Sequence, residues 1–338
     1  MKVVTKGIWC VFFAVLLSGC SPSSGPRGYS HSAMLMGTFV QIKVIAPELS
    51  RTRLKGIVKN VLEKARGLEA RFSIFNAGSE INALNLSGEK TVSPELYDLI
   101  NEAGRVNRMT GGGFDLTVTP VLKAKGFYRD MPQEIRSRIP EGFDGVGWEN
   151  VIMNADAQSV KLRNGAWIDA SGIAKGYIVD RMASFFRKEG LTSFLINAGG
   201  DIYCAVSPGG AAWKIGIRYP GENTVALVIA VKDSAVVTSG DYENVVMDES
   251  LKEEISHIID PSRCVPGKKT VSSVTVIASS CTEADGLATG MMVLGRAKAI
   301  ALADALENVE AIWVECPAGA GYEVKHSALA KKYIVNKR

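Results

Sequence analysis

Residues 38–46, TFVQIKVIA, alternate apolar and polar side chains well enough to predict a strand. In the segment after it, Leu54, Ile57, Val58, Val61, Leu62, Ala65 and Leu68 keep the spacing of a helix with one buried stripe. Ser93-Pro94 predicts the start of a further helix, with serine as N-cap and proline at the first helical position. A glycine-rich run, TGGGFDLTVTP (110–120), and a charged, irregular stretch near 129–145 interrupt the pattern. It resumes with AWIDASGIAKGYIVDRMASFFRKEG (166–190), read as strand, turn and helix, the strand ending at Asp169 and the helix opening near Gly172. Strands follow at 193–206, 213–220, 225–237 and 272–279, then a helix carrying Asp285, another near 296–306, and a closing strand, AIWVEC (311–316). There is no repeat of fixed period. The long antiparallel-looking run between 194 and 278 favours an α+β fold with a largely antiparallel sheet over a doubly wound one.

The start of the chain is patterned differently. Lys2 and Lys6 precede or open an apolar stretch, 7–17, that is too short to span a bilayer as a mature helix, so residues 1–19 read as a signal peptide. Its end, Leu17-Ser18-Gly19-Cys20, resembles the lipobox of bacterial lipoproteins, which makes Cys20 the expected lipidation site. SPSSGPRG (21–28) reads as a flexible tether. Residues 20–30 are therefore assigned to the lipidated cysteine and linker, and 31–338 to one domain held on the periplasmic side of a membrane. Removing residues 1–19 takes away Lys2 and Lys6 and lowers the formal charge from +4 to +2, a nearly balanced surface. With no basic block or aromatic-interleaved patch, nucleic acid is not an expected partner. Cys204, Cys264, Cys281 and Cys316 form no C-x-x-C pair, which argues against zinc and leaves one or two disulfides open in an oxidising compartment.

Several short stretches hold candidate chemistry. In CTEADGLATGMM (281–292) Asp285 and Thr289 lie one helical turn apart on one face, a place for a ligand or ion. Thr282-x-x-Asp285 equally resembles a capping box, and the Thr289 hydroxyl has the alternative of bonding back to the preceding turn. GGGFDLT lets backbone approach a flat or phosphorylated ligand while Phe114 stacks and Asp115 accepts bonds, or it is simply a tight turn. DASGIAKGYIVD is a strand-to-helix turn of the kind that attracts phosphate. In INAGGDI (196–202), Asn197 and Asp201 read as turn residues only. SHIIDP (256–261) contains His257, one of three histidines and as readily structural as catalytic.

The order and spacing of these stretches together resemble the ApbE family of FAD:protein FMN transferases. The likeness runs from Met36-Gly37-Thr38 through Phe72, FNAGSEINALN (75–85), GGGFDLTVTP, IDASGIAKGYIVD, INAGGDI, VVTSGDYE (236–243) and HIIDP to CTEADGLATGMMVLG. The resemblance implies a T-fold-like α+β core, bound FAD and a magnesium ion on Asp285, Thr289 and the Gly172 carbonyl. It also implies FAD contacts at Met36, Phe75, Gly113, Phe114, Asp115, Asp169, Lys175, His257 and Ile259. Phe75 stands where some members have tyrosine, and Lys175 where others have an acid. The implied reaction transfers FMN from FAD to a threonine hydroxyl of an acceptor protein and releases AMP, with His257 handling a proton and Asp285 anchoring the ion. The implied acceptors are electron-transfer subunits of Na+-translocating NADH:quinone reductase or Rnf-type complexes. Two alternatives stand beside this: hydrolysis of FAD to FMN and AMP, and flavin binding without chemistry.

Because residues 1–20 carry targeting alone in this reading, a fragment starting at Ser21 is expected to be soluble and to bind FAD. Insolubility, or loss of FAD binding in a fluorescence titration, would move the domain boundary.

Overall fold

The computed structural model describes residues 28–248, 252–267, 270–317 and 321–337. The signal peptide, Cys20 and most of the tether lie outside the described residues. Strand β1 (Gly28–Leu35) begins inside the segment assigned to the linker, and its first three residues pair with Lys43, Val44 and Ile45. Tyr29 supplies the reason: its ring is buried and the Arg51 guanidinium lies over it, so apolar burial holds the strand from its second residue.

Strands β1, β2 (Thr38–Ile45), β3 (Phe194–Ala198), β4 (Asp201–Cys204), β5 (Ser234–Gly240), β6 (Ser272–Ala278), β7 (Glu310–Glu315) and β8 (Glu323–His326) form one eight-stranded sheet. Spatial order equals chain order and every neighbour is antiparallel. The α+β expectation with a largely antiparallel sheet is met. The long insertions between sheet neighbours build the rest of the molecule. Between β2 and β3 come helices α1 (Arg51–Phe72), α2 (Glu80–Ser87), α3 (Pro94–Met109), α4 (Thr119–Ala124), α5 (Gln133–Arg136) and α6 (Ser171–Lys188). Helices α7 (Cys281–Leu294) and α8 (Arg296–Ala305) join β6 to β7.

Alternation along the strands makes two cores. Ala235, Val237, Val274 and Val276 face the helices, joining Ile173 and Tyr177 of α6 and Leu287 of α7. Val236, Ile277, Ile312 and Val314 face the other way, onto Ile215, Ile217, Leu227 and Ile229 of a three-stranded sheet made by Trp213–Arg218, Val225–Val231 and Ile334–Lys337. With both faces covered, β6 is buried at all seven positions, which is why SSVTVIA shows no clean polar alternation.

Two local expectations are corrected. Residues 166–170 form no strand; the Asn85 side chain instead takes both backbone groups of Ile168, donating to its carbonyl and accepting from its amide at 2.9 Å each, as a neighbouring strand would. The capping box at Thr282 and Asp285 is also absent. Ser280 is the N-cap of α7, its Oγ accepting from Glu283 N at 3.2 Å, and Asp180 of α6 accepts from the amides of Cys281 and Thr282 at 2.8 Å and from the Thr282 hydroxyl. Cys204, Cys264 and Cys281 are unbridged thiols.

Helices α6 and α7 meet across glycine. A Cβ on Gly176 would fall against the Cys281 carbonyl oxygen and 2.8 Å from Asp285 Cβ, neither of which is the free end of a flexible chain. Gly176→Ala is therefore expected to lose about 1–3 kcal/mol in urea unfolding, the usual cost of overpacking. Gly56→Ala, in α1 with nothing within 4 Å of its Cβ position, is expected to gain about 0.5–1 kcal/mol. Equal behaviour of the two would refute the close contact.

Candidate active site

The insertions enclose a cleft of about 740 Å³ between the helices and the C-terminal end of strand β5. Every residue expected to contact FAD or the metal lines it: Met36, Phe75, Gly113, Phe114, Asp115, Asp169, Gly172, Lys175, His257, Ile259, Asp285 and Thr289. They come from six separate segments of the chain, brought together by the fold.

One wall is the α6–α7 contact. Asp285 is buried, 4% exposed, and its Oδ2 accepts from Gly176 N at 3.0 Å. That amide is the group an undisturbed helix gives to the Gly172 carbonyl, so the bond to Asp285 competes for it and favours a carbonyl at Gly172 open to another partner. Asp285 Oδ1 and Thr289 Oγ1 take part in no hydrogen bond among the described residues, and Thr289 makes no bond back to the preceding turn. A Cβ on Gly172 would sit 3.7 Å from Thr289 Oγ1 and 3.2 Å from the Phe114 ring, so any other residue would crowd the site. A carboxylate oxygen and a hydroxyl without protein partners thus lie on one helix face, with the Gly172 backbone beside them. This donor set fits a hard divalent cation such as magnesium, which keeps its remaining positions for water or phosphate.

Electrostatics point the same way. Burial raises the Asp285 carboxyl well above its ordinary range, the charge of Asp201 adds to this, and Lys175 and the Gly176 amide oppose it. Lys175, on α6, sits 2.9 Å from Asp201 Oδ2. Burial alone would lower its pKa, but the charges of Asp201 and Asp285 outweigh this and hold the ammonium above its usual range. Asp201 was read from sequence as a turn residue; it is 1% exposed and belongs to the site. Only Asn197, accepting from Gly200 N at 2.9 Å, serves the turn.

Two more carboxyls, Asp115 buried and Asp169 half-buried, line the helical side of the cleft. Asp115 and Asp169 each accept from the amide and hydroxyl two residues on, Thr117 and Ser171. Burial raises both, and those bonds pull them part of the way back. Tyr128, which the sequence did not single out, donates to Asp169 Oδ2 at 2.8 Å and meets the Phe75 ring edge-on at 6.1 Å. Phe114 is 2% exposed and packs as wall, so the open aromatic face is that of Phe75, 46% exposed. Glu69, also missed, accepts from Met36 N at 2.8 Å and holds the Met36-Gly37 turn, where both residues have positive φ, against the cleft. No local sequence signal marks Glu69 or Tyr128, because their roles arise only from contacts over long chain separations.

Elsewhere along the lining the backbone amide of His257 donates to the Asn244 carbonyl at 3.0 Å, which fixes the residue beside the hairpin starting at Val245. Its Nδ1 is buried with no hydrogen-bond partner. Burial lowers its pKa, the bond to Asn244 opposes this and the Lys175 charge lowers it further, which favours the neutral imidazole.

An α+β fold with a cleft of this size, lined by buried carboxyls, a lysine, an open aromatic ring and a buried imidazole, defines a ligand-binding site. Residues 36–313 match the sequence profile of the ApbE family, and the chain belongs to that family. It is similar to the FAD:protein FMN transferase of Vibrio cholerae, 32% identical over 313 residues that cover 88% of this chain and 90% of the relative. The FAD:protein FMN transferase of Haemophilus influenzae is 28% identical, with 98% of each chain covered. Among solved structures, the ApbE protein of Thermotoga maritima superposes with a TM-score of 0.79 at 28% identity, covering 92% of this chain and all of that one. Flavin transferase ApbE of Vibrio cholerae gives 0.74 at 28% identity, covering 91% and 99%.

A carboxyl whose folded pKa is raised above its unfolded value of 3.8 contributes stability at low pH and loses it as pH rises through the folded pKa. At neutral pH without metal, Asp285 is therefore a net cost. Asp285→Asn, which keeps an acceptor for Gly176 N, is expected to melt higher than the parent in chelator at pH 7.5, and to lose the stabilisation that magnesium gives the parent. A lower melting temperature in chelator would make the carboxylate a structural asset instead.

Proposed function

We propose that the chain transfers FMN from FAD to a threonine hydroxyl on an acceptor protein, with magnesium. The observation that carries this reading is that Asp285, Thr289 and Gly172 line one cleft together with His257, whose buried Nδ1 has no hydrogen-bond partner. The membership in the ApbE family and the names of the curated relatives support it.

In the reaction a bond forms from threonine Oγ to the FMN phosphorus, and the bond from that phosphorus to the bridging oxygen breaks. The bridging oxygen leaves with AMP, and the hydroxyl proton passes to His257. Asp285, Thr289 and the Gly172 carbonyl would hold magnesium, which when bound would neutralise charge at the pyrophosphate. Lys175, whose charge is balanced by Asp201, supplies a second cation on the same wall. Met36, Phe75, Gly113, Phe114, Asp115, Asp169 and Ile259 bind and orient the flavin and adenosine parts, Phe75 presenting an open ring face. Asp115 and Asp169 are held by their own Thr117 and Ser171 turns, so each keeps an oxygen directed by fixed geometry.

The same reading gives the protein its place. Lipidated at Cys20 and tethered on the periplasmic face of a membrane, it would serve membrane-associated electron-transfer subunits of the Na+-translocating NADH:quinone reductase or Rnf type. The surface charge of the mature chain, close to balanced, suits a protein client rather than nucleic acid.

FAD offers contacts along its whole length, so one imidazole contributes little to its affinity, whereas a proton acceptor acts on the transition state. His257→Ala is expected to keep FAD binding within roughly tenfold while single-turnover transfer at saturating magnesium falls about 10²-fold or more. Equal losses in the two assays would make His257 a positioning contact, and unchanged transfer would remove it from the chemistry.

A further inference from the structure

Among the described residues eleven large apolar side chains are exposed. Phe75 lines the cleft itself, and Met34, Phe39 and Met247 each stand within two residues of a lining residue; the other seven are remote in sequence from any lining residue. The β1–β2 hairpin shows the pattern most clearly. On its outer face Ser30, Ser32, Gln41 and Lys43 are polar, Ile45 at the far end is half-buried, and the exposed apolar pair, Met34 and Phe39, stands where the hairpin reaches Met36-Gly37 and the cleft. Met34 and Phe39, 56% and 44% exposed, are directly opposed in the antiparallel register and so project together as one apolar patch. Met247, 48% exposed, follows the cleft-lining pair Val245 and Val246 on a second hairpin. The residues expected to contact FAD lie inside the cleft, whereas these three point away from it into solvent. Exposed apolar groups gathered about a cleft mouth mark a docking surface, and methionine and phenylalanine are enriched in such surfaces.

We propose that Met34, Phe39 and Met247 form a rim that docks the folded body of the acceptor protein while its hydroxyl-bearing segment enters the cleft. The inference rests on the flavin-transfer reading, which requires a macromolecule to pass this mouth. The occupant is a protein rather than the bilayer because of where the preceding chain enters. Residues 20–27 join the fold at Gly28, and Met34 lies six residues further along β1, roughly 20 Å away at the rise of an extended strand. The membrane-attached end and the apolar end of the hairpin are thus opposite ends. The partner it fits carries an apolar strip on its surface beside its acceptor threonine.

The test compares the parent with the Met34→Gln/Phe39→Gln double variant and with Met247→Gln, all at exposed positions, with melting curves to verify the fold. The probes are the soluble domain of an Rnf-type flavinylated subunit and a short peptide bearing the same threonine. The double variant is expected to raise KM for the domain about tenfold or more, as loss of a docking anchor does, while kcat, KM for the peptide and the dissociation constant for FAD stay unchanged. Met247→Gln is expected to shift the same parameter in the same direction. An unchanged KM for the domain would overturn the proposal, as would a matching loss in FAD binding. Loss of binding to phosphatidylglycerol vesicles with KM unchanged would assign the pair to lipid and overturn it too. If the parent moves no flavin to either probe, the flavin-transfer reading fails, and interferometry of the domain on FAD-loaded protein decides the rim: weaker binding by the double variant upholds it, and equal binding or none overturns it.

Discussion

The hydrogen bond from Gly176 N to Asp285 Oδ2 ties α6 to α7 through a side chain buried where the two helices touch. Several features of the site depend on it. It requires glycine at 176, since a Cβ would strike the Cys281 backbone; it takes up the amide otherwise due to the Gly172 carbonyl; and it leaves Asp285 Oδ1 facing the cleft beside Thr289. Asp180, capping the first amides of α7 from α6, sets the register in which these groups meet. The eight-stranded sheet behind both helices makes the arrangement rigid, for Ala235, Val237, Val274 and Val276 form its floor.

This rigidity is accompanied by electrostatic strain. Asp285 and Asp201 share one wall, and the Lys175 ammonium is their nearest counter-charge. Burial of carboxylates against their preference costs stability that a better-packed apolar wall would not, and such a cost is typical of places where a site is kept for binding rather than for folding. A divalent cation placed among the open oxygens would relieve it, so metal affinity and fold stability are coupled through the same side chain. The neutral state of His257 belongs to the same field, as burial and the Lys175 charge both act against a second cation there.

Much of this was legible in the sequence. Period and caps gave α1 and α3, down to Ser93 Oγ accepting from Leu96 N, because those helices bury a single stripe. The set of site residues was legible through motif order, since each glycine-bearing segment keeps a recognisable spacing. What was missed has physical causes. Residues 166–170 looked like a strand because they are apolar and extended, yet their pairing partner is the Asn85 side chain. Thr282 and Asp285 looked like a capping box because local spacing cannot show that Asp180, over a hundred residues away, holds the helix start. Asp201, Glu69 and Tyr128 gave no signal, their roles being fixed by distant partners. The first three residues of β1 were read as tether because Gly28 and Ser30 are small, and only the burial of Tyr29 between them ties them to the fold.

The most direct test of the central claim is the mass of the acceptor domain, together with the AMP released, after incubation with the protein, FAD and magnesium. The account predicts one FMN attached through a phosphoester per acceptor threonine, one AMP per flavin attached, and neither product in chelator. Free FMN and AMP with an unmodified acceptor would show that water, not threonine, is the nucleophile, and would contradict it.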